Sequence, residues 1–204
     1  MKVIGLCGGS GSGKGAVSKI FAENLIPVID TDAIYHSITS TPGECLDAIS
    51  SEFGTGVIKN GALDRPTLAK IVFSSDNSEC LRLKLNEITH KFGIAEVERQ
   101  LSVYEKAGER ICVVDVPLLF ESGFDKRCDL TVAVVADIET RILRITNRDD
   151  IDRESAIARI NAQISADELK KRVDFVIENN SDITDLRLSV LSLIRKINQK
   201  LIEV

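Results

Sequence analysis

Residues 8–15 read Gly8-Gly9-Ser10-Gly11-Ser12-Gly13-Lys14-Gly15 and follow directly on the apolar run Val3-Ile4-Gly5-Leu6-Cys7. The order is strand, glycine loop, lysine, helix, and it builds a cradle for phosphate. Glycine admits positive φ, so successive backbone N–H groups can turn inward onto phosphate oxygens, while the following helix N-terminus adds partial positive charge. Lys14 then reaches the β- and γ-phosphates as a mobile point charge. A flexible linker is also rich in glycine, but it lacks the strand before and the apolar period after. One position breaks the pattern Gly-x-x-x-x-Gly-Lys-[Ser/Thr]. Gly15 followed by Ala16 stands where a hydroxyl for Mg²⁺ belongs, and neither residue can supply it.

Outward from the loop, short β-rich runs at residues 3–7, 28–30, 111–116, 130–136 and 175–177 alternate with helical stretches. This alternation predicts an α/β fold with a five-stranded parallel sheet and helical crossovers. The run Leu130-Thr131-Val132-Ala133-Val134-Val135-Ala136 is nearly all apolar, as a strand covered on both faces must be. Between residues 30 and 111 strand signals are few, Gly54-Thr55-Gly56 marks a turn, and helical periodicity runs over 63–73 and 81–103. That stretch is expected to be a mostly helical insertion. Leu186, Val190, Ile194, Ile197 and Leu201 recur every three or four residues, which gives the last helix one face for the core.

A chain of 204 residues with 44% apolar content suffices for one α/β domain carrying an inserted subdomain. Its net charge of -5 speaks against a general nucleic-acid or membrane-surface binder, whose footprint is a basic patch. Anionic substrates must therefore meet local cations. No leader pattern opens the chain and no segment approaches a membrane span, so the expected location is cytoplasmic. Cys7, Cys45, Cys80, Cys112 and Cys128 are odd in number, widely spaced and without a C-x-x-C pair. Reduced thiols are expected of them, not a metal site.

In open parallel sheets, ligands sit at the carboxyl ends of strands, and three such ends carry acids. Asp30 and Asp32 flank Thr31, Asp115 follows the run at 111–114, and Asp137 follows Ala136. Asp30 and Asp32 would face the same way if the strand continued, as base or metal ligand; either could instead cap a helix over 33–38. Asp115 resembles the acid that ends a Walker B strand and holds Mg²⁺, although an Asp shortly before Pro117 can also start a turn. Arg141, Arg144 and Arg148 fall at i, i+3 and i+7 and share one helix face. The acidic turn Asp149-Asp150-Ile151-Asp152 follows, and a second helix offers Arg153, Arg159 and Gln163. Two such helices read as a lid whose guanidinium forks match phosphate oxygens; the plainer reading is a solvated face, with Glu139 and Asp149 absorbing the charge. His36 and His90 are too far apart in sequence for a metal site by spacing. Ser165 and Glu168 form a capping box, and Asn179-Asn180 either contact a base or turn the chain.

Taken in order, these blocks resemble the dephospho-coenzyme A kinase family over nearly the whole chain. Gly8 to Lys14 resembles its GGIGSGKS loop, Asp30-Thr31-Asp32 its Asp-Ala-Asp, Gly61-Ala62-Leu63-Asp64-Arg65 its G-x-LDR, and Asp115-Val116-Pro117-Leu118-Leu119-Phe120-Glu121 its D-x-PLLFE. Arg144, Arg148-Asp149, and Arg159 with Gln163 resemble its lid and the helix after it, and Asp174-Phe175-Val176-Ile177-Glu178-Asn179 its AD-x-VI-x-N strand. The resemblance implies a three-layer α/β/α P-loop NTPase of one domain: a core of about 1–36, 108–138 and 165–204, a helical coenzyme A subdomain of about 37–107, and a lid of about 139–164. It implies ATP-dependent phosphorylation of the ribose 3'-hydroxyl of dephospho-coenzyme A, with Mg²⁺ as cofactor and no nucleic-acid or membrane partner. Carried over by position, Asp32, Lys14 and Arg148 are catalytic, with Asp32 the general base. ATP falls to Gly9, Gly11, Ser12, Gly13, Lys14, Gly15, Ala16, Arg144, Arg148 and Asn179. The acceptor substrate falls to Asp32, Arg65, His90, Asp115, Pro117 and Leu118, and Asp115 and Asp32 are the candidates for Mg²⁺. Departures from the family are Gly15-Ala16 for Ser-Thr, Thr31 for Ala, and Lys91 for the Pro after the histidine. Another P-loop kinase for a nucleoside or nucleotide, or a nucleotide-binding protein weakened in catalysis by Gly15, are the alternatives.

Overall fold

The computed structural model describes residues 1–73 and 78–202, without the side chains of 200–202, so the expectation for Leu201 lies outside the described residues. The chain runs β1 (Lys2–Cys7), α1 (Lys14–Glu23), β2 (Val28–Asp30), α2 (Thr31–Ser40), α3 (Glu44–Phe53), β3 (Ile58–Lys59), β4 (Ala62–Leu63), α4 (Arg65–Phe73) and α5 (Ser78–Lys106). It continues through β5 (Ile111–Asp115), β6 (Leu130–Val135), α6 (Ile138–Asp149), α7 (Arg153–Asn161), α8 (Ala166–Arg172), β7 (Phe175–Glu178) and α9 (Ile183–Ile202). The five expected strands form one parallel sheet in the order β2-β5-β1-β6-β7. Each matches its apolar run to within a residue: Val116 and Ala136 fall just outside β5 and β6, and Glu178 falls inside β7.

Register explains why the motif residues gather at one end of the sheet. Leu6 of β1 stands beside Asp115 of β5, and Cys7 stands beside Ala133 of β6. The glycine loop therefore leaves the sheet between the ends of β5 and β6. Val135 stands beside Glu178, so Asn179 is the next residue out, its N–H donating to the Val135 carbonyl at 2.8 Å. Ile4 and Leu6 of β1 pack with Val17, Ile20 and Phe21 of α1 and with Leu186, Val190, Leu193 and Ile197 of α9. The helical period of α9 thus buries a stripe, as its spacing predicts. Helices α6 and α7 have a cluster of their own, Ile142, Ile145, Ala156 and Ile160, with Ile151 and Ile157 packed against it.

The chain divides into two compact units, residues 1–29 with 104–204, and residues 30–103. Helices α6 and α7 belong to the first. In the second, Cys45, Ile49, Val57, Leu68 and Val72 form a separate core, against which α5 presents Leu81, Leu85, Ile88 and Phe92. One element here departs from the helical expectation. Ile58 pairs with Leu63 and Lys59 with Ala62, so β3 and β4 make an antiparallel hairpin. Its two-residue turn is Asn60-Gly61, with φ of 53° and 76°. Both positive φ values suit the primed turn that Asn-Gly favours. The strands are only two residues each, too short for alternation to announce them. The Ser165 capping box is also only half formed: Ser165 accepts from the Glu168 N–H at 3.2 Å, while the Glu168 carboxylate turns away to Arg172.

This packing makes two expectations measurable. Gly61→Ala should lower stability by about 1–2 kcal/mol, the cost of left-handed backbone for a residue with a Cβ. Gly56, with open space around it and no such φ, should tolerate alanine with little change. Equal urea midpoints for the two variants would contradict the turn assignment. Cys7, Cys45 and Cys112 are buried, and burial pushes the thiols of Cys7, Cys112 and the half-buried Cys128 up to about 12. Brief alkylation of the native protein at pH 8 should therefore mark Cys80, the exposed thiol, and unfolding should release the other four. Mass spectrometry reads the count directly.

Candidate active site

Gly11 and Gly13 adopt φ of 77° and 90°, and the loop then enters α1 at Lys14. Three consecutive carbonyls of the loop turn away from its interior and are each held from behind. Arg141 Nε donates to the Ser10 carbonyl at 2.9 Å, Arg144 to those of Gly11 and Ser12 at 3.3 and 3.4 Å, and Asn179 Nδ2 to that of Ser12 at 2.8 Å. In a trans peptide, N–H points opposite to C=O, so the Gly11 and Gly13 N–H groups turn the other way. Among the described residues neither donates to a protein acceptor. Glycine is forced here twice over. A Cβ on Gly13 would come within 2.0 Å of Asn179 Nδ2, and one on Gly9 within 2.5 Å of an Arg141 nitrogen. Asn179, read from sequence as either a base contact or a turn, is a buried brace of the loop; Asn180 accepts from the Asp137 N–H at 2.7 Å.

The Lys14 ammonium is paired with Asp115, which is 5% exposed at the end of β5. Asp115 is therefore no mere turn former. Its second oxygen accepts from Ser18 Oγ at 2.6 Å, one turn along α1 from the vacant hydroxyl position. Ser18 was not readable as a site residue, because nothing in its spacing singles it out. A Cβ built on Gly15 meets nothing within 4 Å, and Ala16 packs partly into the core. Pro117 and Leu118 line a small cavity with Gly8, Gly9, Glu121 and Gln163, so the block after Asp115 borders the loop; Leu118 remains 54% exposed.

A phosphate group fits this loop. Beside the two undirected N–H groups, Ser12 Oγ is buried with no partner among the described residues, which costs about 1–3 kcal/mol that an incoming acceptor oxygen removes. Mg²⁺ fits as well, though not by protein ligands alone. Among the described residues no cluster of three or more His, Cys, Asp or Glu side chains could hold a metal. Mg²⁺ commonly takes one or two carboxylates with substrate phosphates and water, and Asp115 with the Ser18 hydroxyl offers such a partial set of hard oxygens.

On the helical hairpin the expected arginine face is split. Arg141 is buried and braces the loop, Arg144 lies half-buried against it, and Arg148 is exposed and bidentate to Asp149 at 2.7 and 2.9 Å. Arg159 binds the same carboxylate, and Arg153 binds Glu139. The Arg148 bonds, reinforced by Arg159, hold the Asp149 carboxyl at about 2, well below its usual range. For Arg148 the charge-absorbing reading is thus what the resting structure displays, and for Arg141 it is not.

The second unit carries the other expected residues. Asp30 ends β2 and caps α2 by accepting from the Ala33 N–H at 3.1 Å, so its carboxylate is a helix cap and the strand does not continue to Asp32. Asp32 lies exposed in the first turn of α2, and its charge together with burial raises the Tyr35 phenol, burial being the larger cause. His36 stands 3.5 Å from Ser40 Oγ on the surface of the same helix. Arg65 opens α4, donates to Thr39 Oγ1 at 3.0 Å, and borders a cavity of about 490 Å³. His90 and Tyr35 border it too, their ring centres 6.1 Å apart, with apolar walls from Leu68, Val72 and Leu85. Arg82 and Asn86 also reach this cavity and carried no sequence signal.

Comparison with known proteins agrees with this geometry. The family model for dephospho-CoA kinase matches residues 2–185. A dephospho-CoA kinase of Fusobacterium nucleatum is 44% identical over 185 residues, covering 90% of this chain and 92% of that one. One of Bacillus cereus is 38% identical over 197 residues, covering 96% of this chain and 97% of that one. The solved dephospho-CoA kinase of Campylobacter jejuni superposes with a TM-score of 0.71 at 26% identity, covering 98% of this chain and 99% of that one. With a P-loop fold, a loop built for phosphate and likeness along almost its whole length, the chain belongs to the dephospho-CoA kinase family.

Proposed function

We propose that this protein transfers the γ-phosphoryl group of ATP to the ribose 3'-hydroxyl of dephospho-coenzyme A, giving coenzyme A. The observation that carries the reading is the braced loop after β1, with Lys14 at the start of α1 paired to Asp115 at the end of the neighbouring strand β5. Phosphoryl transfer asks mainly for positioning and charge stabilisation, which is what such a loop supplies. Lys14 exchanges Asp115 for phosphate oxygens and follows the charge as it moves between donor and acceptor. Asp32 accepts the proton of the attacking hydroxyl. Arg144 sits beside the loop, and Arg148 leaves Asp149 to close on the phosphates. Mg²⁺ would be held by Asp115 and Ser18 with phosphate oxygens, and when bound it neutralises charge on the transferring group. The cavity beside Arg65 and His90 suits dephospho-coenzyme A: apolar walls take the pantetheine arm, and the Arg65 and Arg82 cations its diphosphate. Among the described residues no helix is long and apolar enough to cross a membrane.

Mixing the protein with ATP, Mg²⁺ and dephospho-coenzyme A should yield coenzyme A and ADP; ADP release with nucleosides instead would redirect the assignment. Asp32→Asn should keep ATP affinity near wild type and cut turnover by about 10²- to 10⁴-fold, because only the proton acceptor is lost. Turnover equal to wild type would remove Asp32 from the mechanism. Lys14→Ala should damage ATP binding and turnover together, since its charge serves ground and transition states alike.

Gly15→Ser should lower the Mg²⁺ concentration needed for half-maximal activity and raise stability by up to ~1 kcal/mol, as a glycine leaves the first turn of a helix. The open space at this position accommodates the side chain. Ser18→Ala should move the Mg²⁺ curve the opposite way, in turnover and in the Mg²⁺ dependence of ADP binding. Superimposed curves for all three proteins would mean that neither hydroxyl position touches the metal.

A further inference from the structure

Arg141 is an unusual cation. It is 6% exposed, and burial lowers its guanidinium pKa from the ordinary arginine value. Its partners are both neutral: the Ser10 carbonyl at 2.9 Å and Gln163 Oε1 at 3.3 Å. Among the described residues no carboxylate pairs with it, although every other arginine of the helical hairpin except Arg144 has one. A buried charge without a counter-charge is strongly destabilising, so its retention calls for a reason.

The reason lies in what it holds. The same Gln163 oxygen accepts from the Ser10 N–H at 2.9 Å, so Arg141 and Gln163 grip both backbone polar groups of one loop residue. Arg141 stands at the start of α6 and Gln163 just beyond α7. The closeness extends to the backbone: a Cβ on Gly11 would come within 2.6 Å of the Arg141 carbonyl oxygen.

The geometry points to Arg141 as a positioning residue for the phosphate loop: it fixes the peptide plane between Ser10 and Gly11 so that the Gly11 N–H faces the phosphates, and its unpaired buried charge takes the bound polyphosphate as counter-ion. This rests on the loop being the polyphosphate site. Two consequences separate it from a packing role. Removing the charge relieves a desolvation cost in the empty protein while removing a brace, so the two effects oppose each other without ligand. With polyphosphate bound, both effects act against the variant.

The test compares Arg141→Met, which keeps the long stem without charge or donor, with Arg141→Lys, which keeps charge and one donor. Calorimetric titration with inorganic tripolyphosphate and with ADP is read beside the melting temperature with and without ADP. The Met variant should bind tripolyphosphate about 10- to 100-fold more weakly, the range a charge-assisted hydrogen bond represents. Its melting temperature without ligand should stay near wild type, and its KM for ATP should rise while that for dephospho-coenzyme A holds. Lysine should restore affinity to within about threefold of wild type, since the charge and one donor survive. Wild-type affinity in the Met variant, or equal losses in Met and Lys, would overturn the proposal. Should the Met variant not fold, Gln163→Leu takes its place: it leaves Arg141 on Ser10 but loosens the grip, and it should weaken tripolyphosphate binding by a smaller factor, with no weakening counting against the proposal. If wild type itself does not bind tripolyphosphate or ADP, the phosphate-loop reading fails first, and this proposal with it.

Discussion

The orientation of two peptide planes, Ser10–Gly11 and Ser12–Gly13, is the constraint on which the rest of the site depends. A peptide is rigid, so the direction of an N–H is set by what holds the opposite carbonyl. Here Arg141 holds one and Asn179 the other, and both reach the loop because of the sheet. Asn179 is the first residue beyond β7, whose register against β6 is fixed by buried Val134 and Ile177. Arg141 reaches it because α6 starts just past the end of β6 and buries Ile142 and Ile145 on the turn beside it. Apolar burial of ordinary kind thus aims two hydrogen-bond donors that have no apolar reason to be there. Gly11 and Gly13 follow as a requirement: both hold positive φ, and the backbone of Arg141 and the side-chain amide of Asn179 leave no room there for a Cβ.

Much of this was legible in the sequence, for a definite reason. Strands buried on both faces read as continuous apolar runs, and a glycine loop between strand and helix has few alternative uses, so sheet, loop and Asp115 could be placed from local pattern alone. The β3–β4 hairpin escaped because two-residue strands carry no period, although Asn60-Gly61 was a turn signal in plain sight. Ser18 and the brace formed by Arg141 and Gln163 escaped for another reason. Each acts on a partner far along the chain, Ser10 and Gln163 being 153 residues apart, and no local spacing encodes such a meeting. Sequence ranked the arginines of α6 by their shared face, whereas burial sorts them into a brace, a neighbour of the loop and an exposed ion pair.

The resting charges also explain how a chain of net charge -5 can serve polyanionic substrates. Lys14 is matched by Asp115, Arg148 and Arg159 by Asp149, and Arg153 by Glu139. At these four cations an incoming phosphate must displace a resident carboxylate, whereas Arg141 and Arg144 rest on neutral acceptors. Generic anions gain little from such an exchange, because a surface ion pair already provides most of what they offer. On the proposed function a polyphosphate would gain more, since one ligand would meet the loop N–H groups, Lys14 and the arginines together, and the second and later contacts would be effectively intramolecular.

Proton concentration cannot perform that displacement in the working range. Asp149 moves from an ordinary 3.8 down to about 2 when held by Arg148 and Arg159, so its ionised form and the contact it makes are complete above 3.8 and fade only as pH falls toward 2. Across the neutral range the latch is therefore constant, and pH dependence of turnover has to come from other groups. On the proposed function, what would release Arg148 is competition from a better acceptor, phosphate oxygens at the loop against the Asp149 carboxylate. Because the Arg148–Asp149 pair is exposed, solvent screens it, its hold is slight and the partners are easily exchanged. The contact of the buried Arg141 with the Ser10 carbonyl is not of that kind.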